Sequence, residues 1–245
     1  MDYDVNGIAA ARGDAAVDSG LRAFLLRVYQ KVAGGLLVSA GVAWCVAYVP
    51  AIRDVFFTTA HGHLVGWTFW GMALLFSPIL VMIAASFTMR DRSGSGAGWL
   101  YWTVVVLVGG SMSVLALVYT GAALVSTFLI TAGAFAGLSL WGYTTRRDLT
   151  AMGSFLTVAL FGLILAMLVN LFFKSSTVYL VLNLVGVLIF AGLIAADTQR
   201  LKTIYYQSAD GQLEASSNYG ALTLYLNFIN LFDLLLSLSG GQSRR

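Results

Sequence analysis

The sequence predicts an all-α membrane protein, and three observations support this fold class. Hydrophobic residues make up 59% of the 245-residue chain, charged residues only 10%, and the mean hydropathy is +0.83. A soluble globular domain contains about 25% charged residues. Apolar segments recur that are long enough to cross about 30 Å of hydrocarbon as helices rising about 1.5 Å per residue. Only two prolines occur, as expected for long, mostly unbroken helices.

Seven segments have the length and composition of membrane-spanning helices. A polar stretch at residues 1–20 is predicted to be a mobile cytoplasmic tail, and residues 21–245 are predicted to form a single transmembrane domain. The helices are expected at about residues 28–49, 64–88, 98–119, 121–143, 150–173, 177–198 and 219–239. The third and fourth helices are almost contiguous, which predicts a tight helical hairpin. The spacing of Gly133 and Gly137 favours close packing against another helix.

The distribution of basic residues predicts the orientation of the bundle. With the N-terminus in the cytoplasm, ten lysines and arginines lie on that side and four on the other. Cytoplasmic loops carry the excess of such residues in membrane proteins. We therefore expect the N-terminus inside and the C-terminus outside. If the last helix re-entered the membrane instead of crossing it, Arg244 and Arg245 would also lie inside.

The last apolar segment, Tyr219–Gly240, is unusual because it carries several polar residues. At about 100° per residue, these fall on one side of the helix: Gly220, Thr223, Asn227, Asn230, Asp233 and Ser237. Polar groups in hydrocarbon are costly unless they face protein or water. The segment is therefore expected inside a bundle. Four of these residues are candidate linings of an ion pathway: Thr223, Asn230, Asp233 and Ser237.

Three other polar residues are predicted at a similar depth near the cytoplasmic face. Asp197 lies about twenty residues into the sixth helix, Arg90 ends the second, and Asn227 lies roughly 12 Å into the seventh. If they are neighbours, protonation of Asp197 would release Arg90 and allow the three helices to shift. This proton-gated latch is a hypothesis. Its alternative is an interfacial ion pair or an arginine that extends toward water.

Other chemistries have weaker support in the sequence. A retinal protein with seven helices needs a lysine within a span for its Schiff base, whereas Lys31, Lys174 and Lys202 lie at edges or in loops. His61 and His63 lack a third metal ligand nearby, so a surface loop is the better interpretation than a metal site.

Two segments carry a resemblance to a known family. IFAGLIAADTQRLKTIY (189–205) and GALTLYLNFINLFDLLLSL (220–238) together resemble the Bax inhibitor-1 (transmembrane Bax inhibitor motif) family, in its bacterial form. The resemblance covers about residues 20–240. It implies a seven-helix bundle with the seventh helix at its centre, in the bacterial inner membrane. Family members are described as pH-sensitive calcium leaks, so Ca²⁺ is expected as a permeant ion, with no cofactor and no enzymatic activity.

The resemblance also assigns site residues. The family's aspartate in the sixth helix corresponds to Asp197, and the arginine that pairs with it corresponds to Arg90. The second aspartate falls on Asn227, because the usual LYLDFINLF reads LYLNFINLF here. Since only one member of an Asp197–Asn227 pair titrates, we expect a weaker or acid-shifted pH response. Asp233 replaces a usually apolar residue; it either adds a cation-attracting carboxylate or pairs with a group such as Lys174.

Three functions remain open from the sequence. The first is a calcium leak gated by Arg90 and Asp197, with Ca²⁺ passing transiently near Asp197 or Asp233. The second is a non-conducting regulator that binds a membrane protease or a cell-death protein through small-residue helix faces. The third is an intramembrane hydrolase that uses Asp197 and Asp233. Expected partners are the lipid bilayer, calcium and such a membrane protein, and nucleic-acid binding is not expected.

Overall fold

The computed structural model describes residues 5–60, 63–88, 94–208 and 212–240. Within these residues the chain forms eight helices and one short antiparallel hairpin. In chain order these are α1 (Val5–Tyr48), α2 (Pro50–Phe56), β1 (Phe57–Ala60), β2 (His63–Trp67), α3 (Phe69–Thr88), α4 (Gly94–Val118), α5 (Gly121–Thr144), α6 (Thr150–Phe173), α7 (Ser176–Gln207) and α8 (Leu213–Leu238).

Six helices in the described part of the chain are long and apolar enough to cross a membrane. These are Ser19–Tyr48 of α1, Gly96–Val118 of α4, and α5, α6, α7 and α8 over their full lengths. The predicted second span falls on α3, of which the described apolar part is the shorter stretch Phe69–Pro78. The protein is therefore an all-helical, multi-pass membrane protein, and the seventh crossing remains a prediction.

Three parts of the chain differ from the sequence prediction. Between the sixth and seventh predicted helices, most of the expected polar connection is helical, because α7 continues to Gln207 and α8 begins at Leu213. Helix α1 begins at Val5 instead of residue 28, because alanine, the strongest helix former, recurs through residues 9–16. The segment after α1 is more ordered than the predicted short loop, since it contains α2 and the β1–β2 hairpin. Pro50 begins α2, a position that proline's fixed φ favours. Mobility of residues 1–20 remains a prediction.

Helix α8 is the most buried of the six candidate spans, with 56% of its most apolar window buried. It packs against α1, α4, α5 and α7. Leu224, Tyr225 and Leu236 have no exposed side-chain surface. The Tyr225 hydroxyl lies 2.7 Å from Ser39 Oγ, which in turn donates to the carbonyl oxygen of Val105 at 2.9 Å. This chain of hydrogen bonds joins α8, α1 and α4 at a site that excludes water.

Glycines permit close contacts between helices at specific positions. A Cβ atom at Gly109 of α4 would lie 2.7 Å from Ser39 Cα of α1, and one at Gly142 of α5 would overlap the Ala195 carbonyl of α7. The predicted close packing at Gly133 and Gly137 of α5 is not found within the chain, since a Cβ at either residue meets nothing within 4 Å. Small residues permit close packing but do not require it.

The predicted hairpin of the third and fourth helices is also not a tightly packed pair. Only Tyr119 and Thr120 separate α4 from α5. However, α4 packs mainly against α1, α3 and α8, whereas α5 packs mainly against α7 and α8. The two helices therefore diverge because each has a better partner elsewhere in the bundle.

Two matched glycine substitutions in α5 test this packing. Gly142→Ala should lower the free energy of unfolding by about 1–3 kcal/mol, because the new methyl group forces α5 away from the α7 backbone. Gly133→Ala should be neutral or slightly stabilising, since its surroundings are open and alanine favours a helix. Thermal unfolding of the detergent-purified variants measures both effects. Equal stability of the two variants would contradict the α5–α7 contact.

Candidate functional site

The site lies in the C-terminal half of α7, where the sequence DTQRLK (197–202) reaches several other elements. Asp197 Oδ2 accepts a hydrogen bond of 2.8 Å from Asn227 Nδ2. This bond connects α7 to α8, and Asn227 is only 6% exposed. Hydrogen bonds to a charged acceptor are stronger than neutral ones. Two of the three residues predicted at this depth are therefore in direct contact.

Thr198 connects α7 to two further helices. Its hydroxyl donates to Ser139 Oγ of α5 at 3.4 Å and lies 3.4 Å from the Tyr29 hydroxyl of α1. Thr198 has no exposed surface. A buried hydroxyl is costly unless it is hydrogen-bonded, so these contacts fix the position of the last turns of α7 relative to α1 and α5.

Gln199 connects α7 to the segment between α5 and α6. Its Nε2 donates to the Arg147 carbonyl oxygen at 2.8 Å, and its Oε1 accepts from the Leu149 amide at 2.7 Å. Both atoms of one amide group therefore hold the backbone on either side of Asp148. A connecting segment of five residues, 145–149, is thus fixed at two points.

Two charged groups satisfy the adjoining helix ends. Lys202 Nζ donates to the Tyr143 carbonyl oxygen in the last turn of α5 and lies 4.4 Å from the centre of the Tyr143 ring. Asp148 Oδ1 accepts from the Thr150 amide at 2.9 Å, at the first residue of α6. Hydrogen bonding from the side chain and backbone of Thr150 holds the pKa of Asp148 below its usual value. A negative group is favourable at a helix N-terminus.

These contacts surround a polar cavity of about 660 Å³ at the ends of α5, α6 and α7. Asp197 lines it, although the same residue is bonded to Asn227 on its other side. The other charged residues of its wall are Arg146, Arg147, Asp148, Arg200 and Lys202. Asp197 therefore borders the cavity while its carboxylate makes a helix–helix contact.

The third predicted member of the latch, Arg90, lies outside the described residues. Its pairing with Asp197 therefore remains a prediction. Among the described residues, the nearest cationic influence on Asp197 comes from Arg200, three residues further along α7. No ion pair joins the two, because the only salt bridge in the described part of the chain is Arg53–Asp54, near the hairpin.

The polar residues of α8 divide into two groups. Gly220 and Asn227 are buried against neighbouring helices, whereas Thr223, Asn230 and Asp233 are exposed. Tyr225 of α8 contacts Tyr101 of α4, and Asn227 of α8 contacts Asp197 of α7. At about 100° per residue, the three exposed residues project from α8 in directions between those two contacts. The polar face of α8 therefore lies between its contact with α4 and its contact with α7.

Most polar side chains on this face donate hydrogen bonds to backbone carbonyl groups of α8 itself. Thr223 donates to the Tyr219 carbonyl, Asn230 to the Leu226 carbonyl at 2.8 Å, and Ser237 to the Leu234 carbonyl at 2.9 Å. Asp233 differs, because its carboxylate makes no hydrogen bond or ion pair within the described residues. The suggested pairing with Lys174 is absent from the described contacts.

The two aspartates of the suggested hydrolase do not meet directly. Asn227 occupies the position opposite Asp197, and Asp233 lies six residues further along α8, about 9 Å along the helix axis. Among the described residues, no group of three or more His, Cys, Asp or Glu side chains is arranged to hold a metal ion. His63 lies in β2, paired with Ala60, while His61 lies outside the described residues.

The roles of four contact residues were not predicted: Tyr29, Ser139, Thr198 and Gln199. Thr198 and Gln199 lie within the segment that carries the family resemblance, so the sequence indicated their location but not their partners. Tyr29 and Ser139 are common polar residues in apolar helices, and no pattern in the sequence distinguishes them.

Replacing Gln199 tests its effect on the connection between α5 and α6. Gln199→Ala removes both hydrogen bonds, so the Leu149 amide should exchange its hydrogen faster, by about tenfold for the loss of roughly 1–1.5 kcal/mol of local stability. Gln207→Ala, at an exposed residue near the end of the same helix, should leave that rate unchanged. Hydrogen exchange followed by mass spectrometry provides the measurement. Unchanged exchange at Leu149 in Gln199→Ala would contradict the proposed effect.

Comparison with known proteins agrees with this architecture. The profile of the family described as "Inhibitor of apoptosis-promoting Bax1" matches residues 21–244. An uncharacterized protein of Caulobacter vibrioides is 50% identical over 237 residues, 96% of this chain and 95% of its own. "Inner membrane protein YbhL" of Escherichia coli strain K12 is 38% identical over 236 residues, 94% of this chain and 97% of its own. With its apolar helices, this chain is an integral protein of the bacterial inner membrane, and it belongs to the Bax inhibitor-1 family.

Proposed function

We propose that the chain is a pH-sensitive calcium leak pathway whose sensor is Asp197. The observation that carries this proposal is the position of Asp197, whose carboxylate is bonded to Asn227 of α8 and which is one of the residues that line the polar cavity. A group in that position can exchange protons with water and alter a contact between two helices. Membership of the family supports calcium as the ion.

The gate follows from the chemistry of this one hydrogen bond. An ionised carboxylate is a stronger acceptor for the Asn227 amide than a neutral carboxyl group, because charge-assisted bonds are roughly twice as strong as neutral ones. Protonation of Asp197 therefore weakens the α7–α8 contact. The other charged groups that face the cavity, Arg146, Arg147, Asp148, Arg200 and Lys202, set the field in which this proton binds. Arg90 is proposed as a further partner.

The proposed orientation of the bundle determines on which side of the membrane the gate lies. The basic connections of the chain favour a cytoplasmic position for the end of α5 and the C-terminal part of α7 under the positive-inside rule. In this arrangement α8 is the central helix of a seven-helix bundle, consistent with its burial and its contacts with four other helices. The gate then lies at the cytoplasmic end of the pathway.

The exposed face of α8 is the proposed ion path. Asp233 provides an unpaired carboxylate, and Asn230, Thr223 and Ser237 provide further oxygen atoms along the same face. Calcium prefers oxygen ligands in flexible geometry and retains water in weak sites. Because a carboxylate facing lipid is costly, we expect this face to be hydrated.

A second candidate is a non-conducting regulator that binds another membrane protein, such as a membrane protease. The open surroundings of Gly133 and Gly137 favour this candidate, because a partner helix has close access to α5 there. An enzymatic role is not part of either proposal.

Calcium uptake into liposomes that contain only this protein tests the gate. The wild-type protein should take up calcium with a modest pH dependence. Asp197→Asn should abolish that dependence, since no titratable group remains at the α7–α8 contact. Asn227→Asp should steepen it and shift it toward neutral pH, because two adjacent carboxylates share a proton. A fluorescent calcium indicator inside the liposomes provides the measurement.

The control for this experiment is Asp54→Asn, which removes a carboxylate from the exposed Arg53–Asp54 pair near the hairpin. It should retain the wild-type profile. Identical profiles for wild type and Asn227→Asp would remove Asn227 from the gate. Uptake no faster than in protein-free liposomes at any pH would overturn the leak and leave the regulator as the supported function.

Cysteine accessibility tests whether the face of α8 is hydrated. In a Cys45→Ser background, Asn230→Cys and Asp233→Cys should react with a charged, membrane-impermeant methanethiosulfonate, because thiolate formation requires water. Leu165→Cys should not react, since that residue is exposed on the apolar surface of α6. Mass spectrometry of the labelled protein gives the extent of reaction. Equal, slow labelling at all three positions would exclude this face as the ion path.

A further inference from the structure

We propose that the cavity at the ends of α5, α6 and α7 binds a phosphate-bearing anion, either the headgroup of an anionic phospholipid or free phosphate. This inference concerns the walls of the cavity and not ion conduction. Anion binding at this cavity can therefore be tested separately from the leak pathway.

The charges of the cavity wall favour an anion. Four cationic side chains line it against two carboxylates. The carboxylates are held by partners within the protein, since Asp148 binds the first amide of α6 and Asp197 binds Asn227. Their charges remain, so the positive excess comes from the larger number of cations in the wall. An excess of positive charge in a concave, partly enclosed site attracts negatively charged ligands.

Three of the four cations are available for a ligand. Lys202 is engaged with the Tyr143 carbonyl oxygen. The guanidinium groups of Arg146, Arg147 and Arg200 make no hydrogen bond or ion pair within the described residues. Guanidinium groups bind phosphate oxygens through two parallel N–H···O bonds, which favours phosphate over a spherical anion such as chloride.

The framework of this site is already fixed. Gln199 holds the backbone at Arg147 and Leu149, so the α5–α6 connection loses little freedom when a ligand binds. A prepared site binds more tightly than one that must be ordered by its ligand. Thr150, at the start of α6, contributes to the same wall, although its amide is already bonded to Asp148.

The shape of the cavity suits a membrane lipid. Its volume of about 660 Å³ lies within the roughly 300–1,000 Å³ of typical ligand sites. The wall continues along α6 through Gly153, Ser154 and Thr157, about 10 Å from the start of that helix. It therefore extends from the basic connection into the membrane-spanning part of α6. Basic pockets between membrane helices bind the headgroups of anionic lipids.

Binding to the detergent-purified full-length protein tests the proposal. The probes are dihexanoyl phosphatidylglycerol, its zwitterionic phosphatidylcholine counterpart, and sodium phosphate against sodium chloride at equal ionic strength. Thermophoresis gives Kd for each probe. We expect phosphatidylglycerol to bind the wild-type protein more tightly than phosphatidylcholine. Its Kd should rise by at least about tenfold in the double variant Arg147→Gln/Arg200→Gln, because two charge-assisted contacts are lost.

The matched control is Lys174→Gln, which removes an exposed cation at the other end of α6 and should leave Kd within about twofold of wild type. If the double variant does not fold, the single variant Arg147→Gln, at an exposed residue, takes its place. Arginine-dependent binding of inorganic phosphate but not of phosphatidylglycerol would assign the site to free phosphate. Equal binding of phosphatidylglycerol and phosphatidylcholine, equal binding to wild type and double variant, or no binding of either anion would overturn the proposal.

Discussion

The hydrogen bond between Asp197 and Asn227 is the contact around which the functional end of the bundle is arranged. A polar pair in an apolar bundle is stable only when each member satisfies the other, and this pair joins α7 to the buried helix α8. The next two residues of α7 also make hydrogen bonds to other elements. Thr198 joins α7 to α1 and α5, and Gln199 joins α7 to the α5–α6 connection. One helical turn therefore fixes the relative positions of four helices.

This arrangement explains why the polar side of α8 contains both paired and unpaired residues. Asn227 faces α7 and has a partner, whereas Asn230 and Asp233 are exposed. A helix with all of its polar groups paired would serve only to hold the bundle together. An unpaired carboxylate in a membrane protein requires water, an ion or a partner, so Asp233 is the part of α8 that packing alone does not explain.

The sequence predicted the class of the protein because apolar length and low charge depend on local composition. It also indicated the correct segments for Asp197 and Asn227, since their depth follows from counting residues along a helix. It failed where the outcome depends on which helices meet. Gly133 and Gly137 have the spacing of a packing face but lie open, whereas Gly142 makes the close contact. The partners of Gln199 are backbone atoms, which no side-chain pattern in the sequence reveals.

The charges at the two ends of the proposed pathway act in opposite directions. Asp233 attracts a cation along α8, but the arginines around the cavity at the end of α7 repel it. This repulsion acts on a cation that comes within about one Debye length of the arginines, about 8 Å in physiological salt. A phosphate group bound between those arginines would cancel most of it. The occupant of the cavity would therefore influence both the proton affinity of Asp197 and the ease with which a cation passes it.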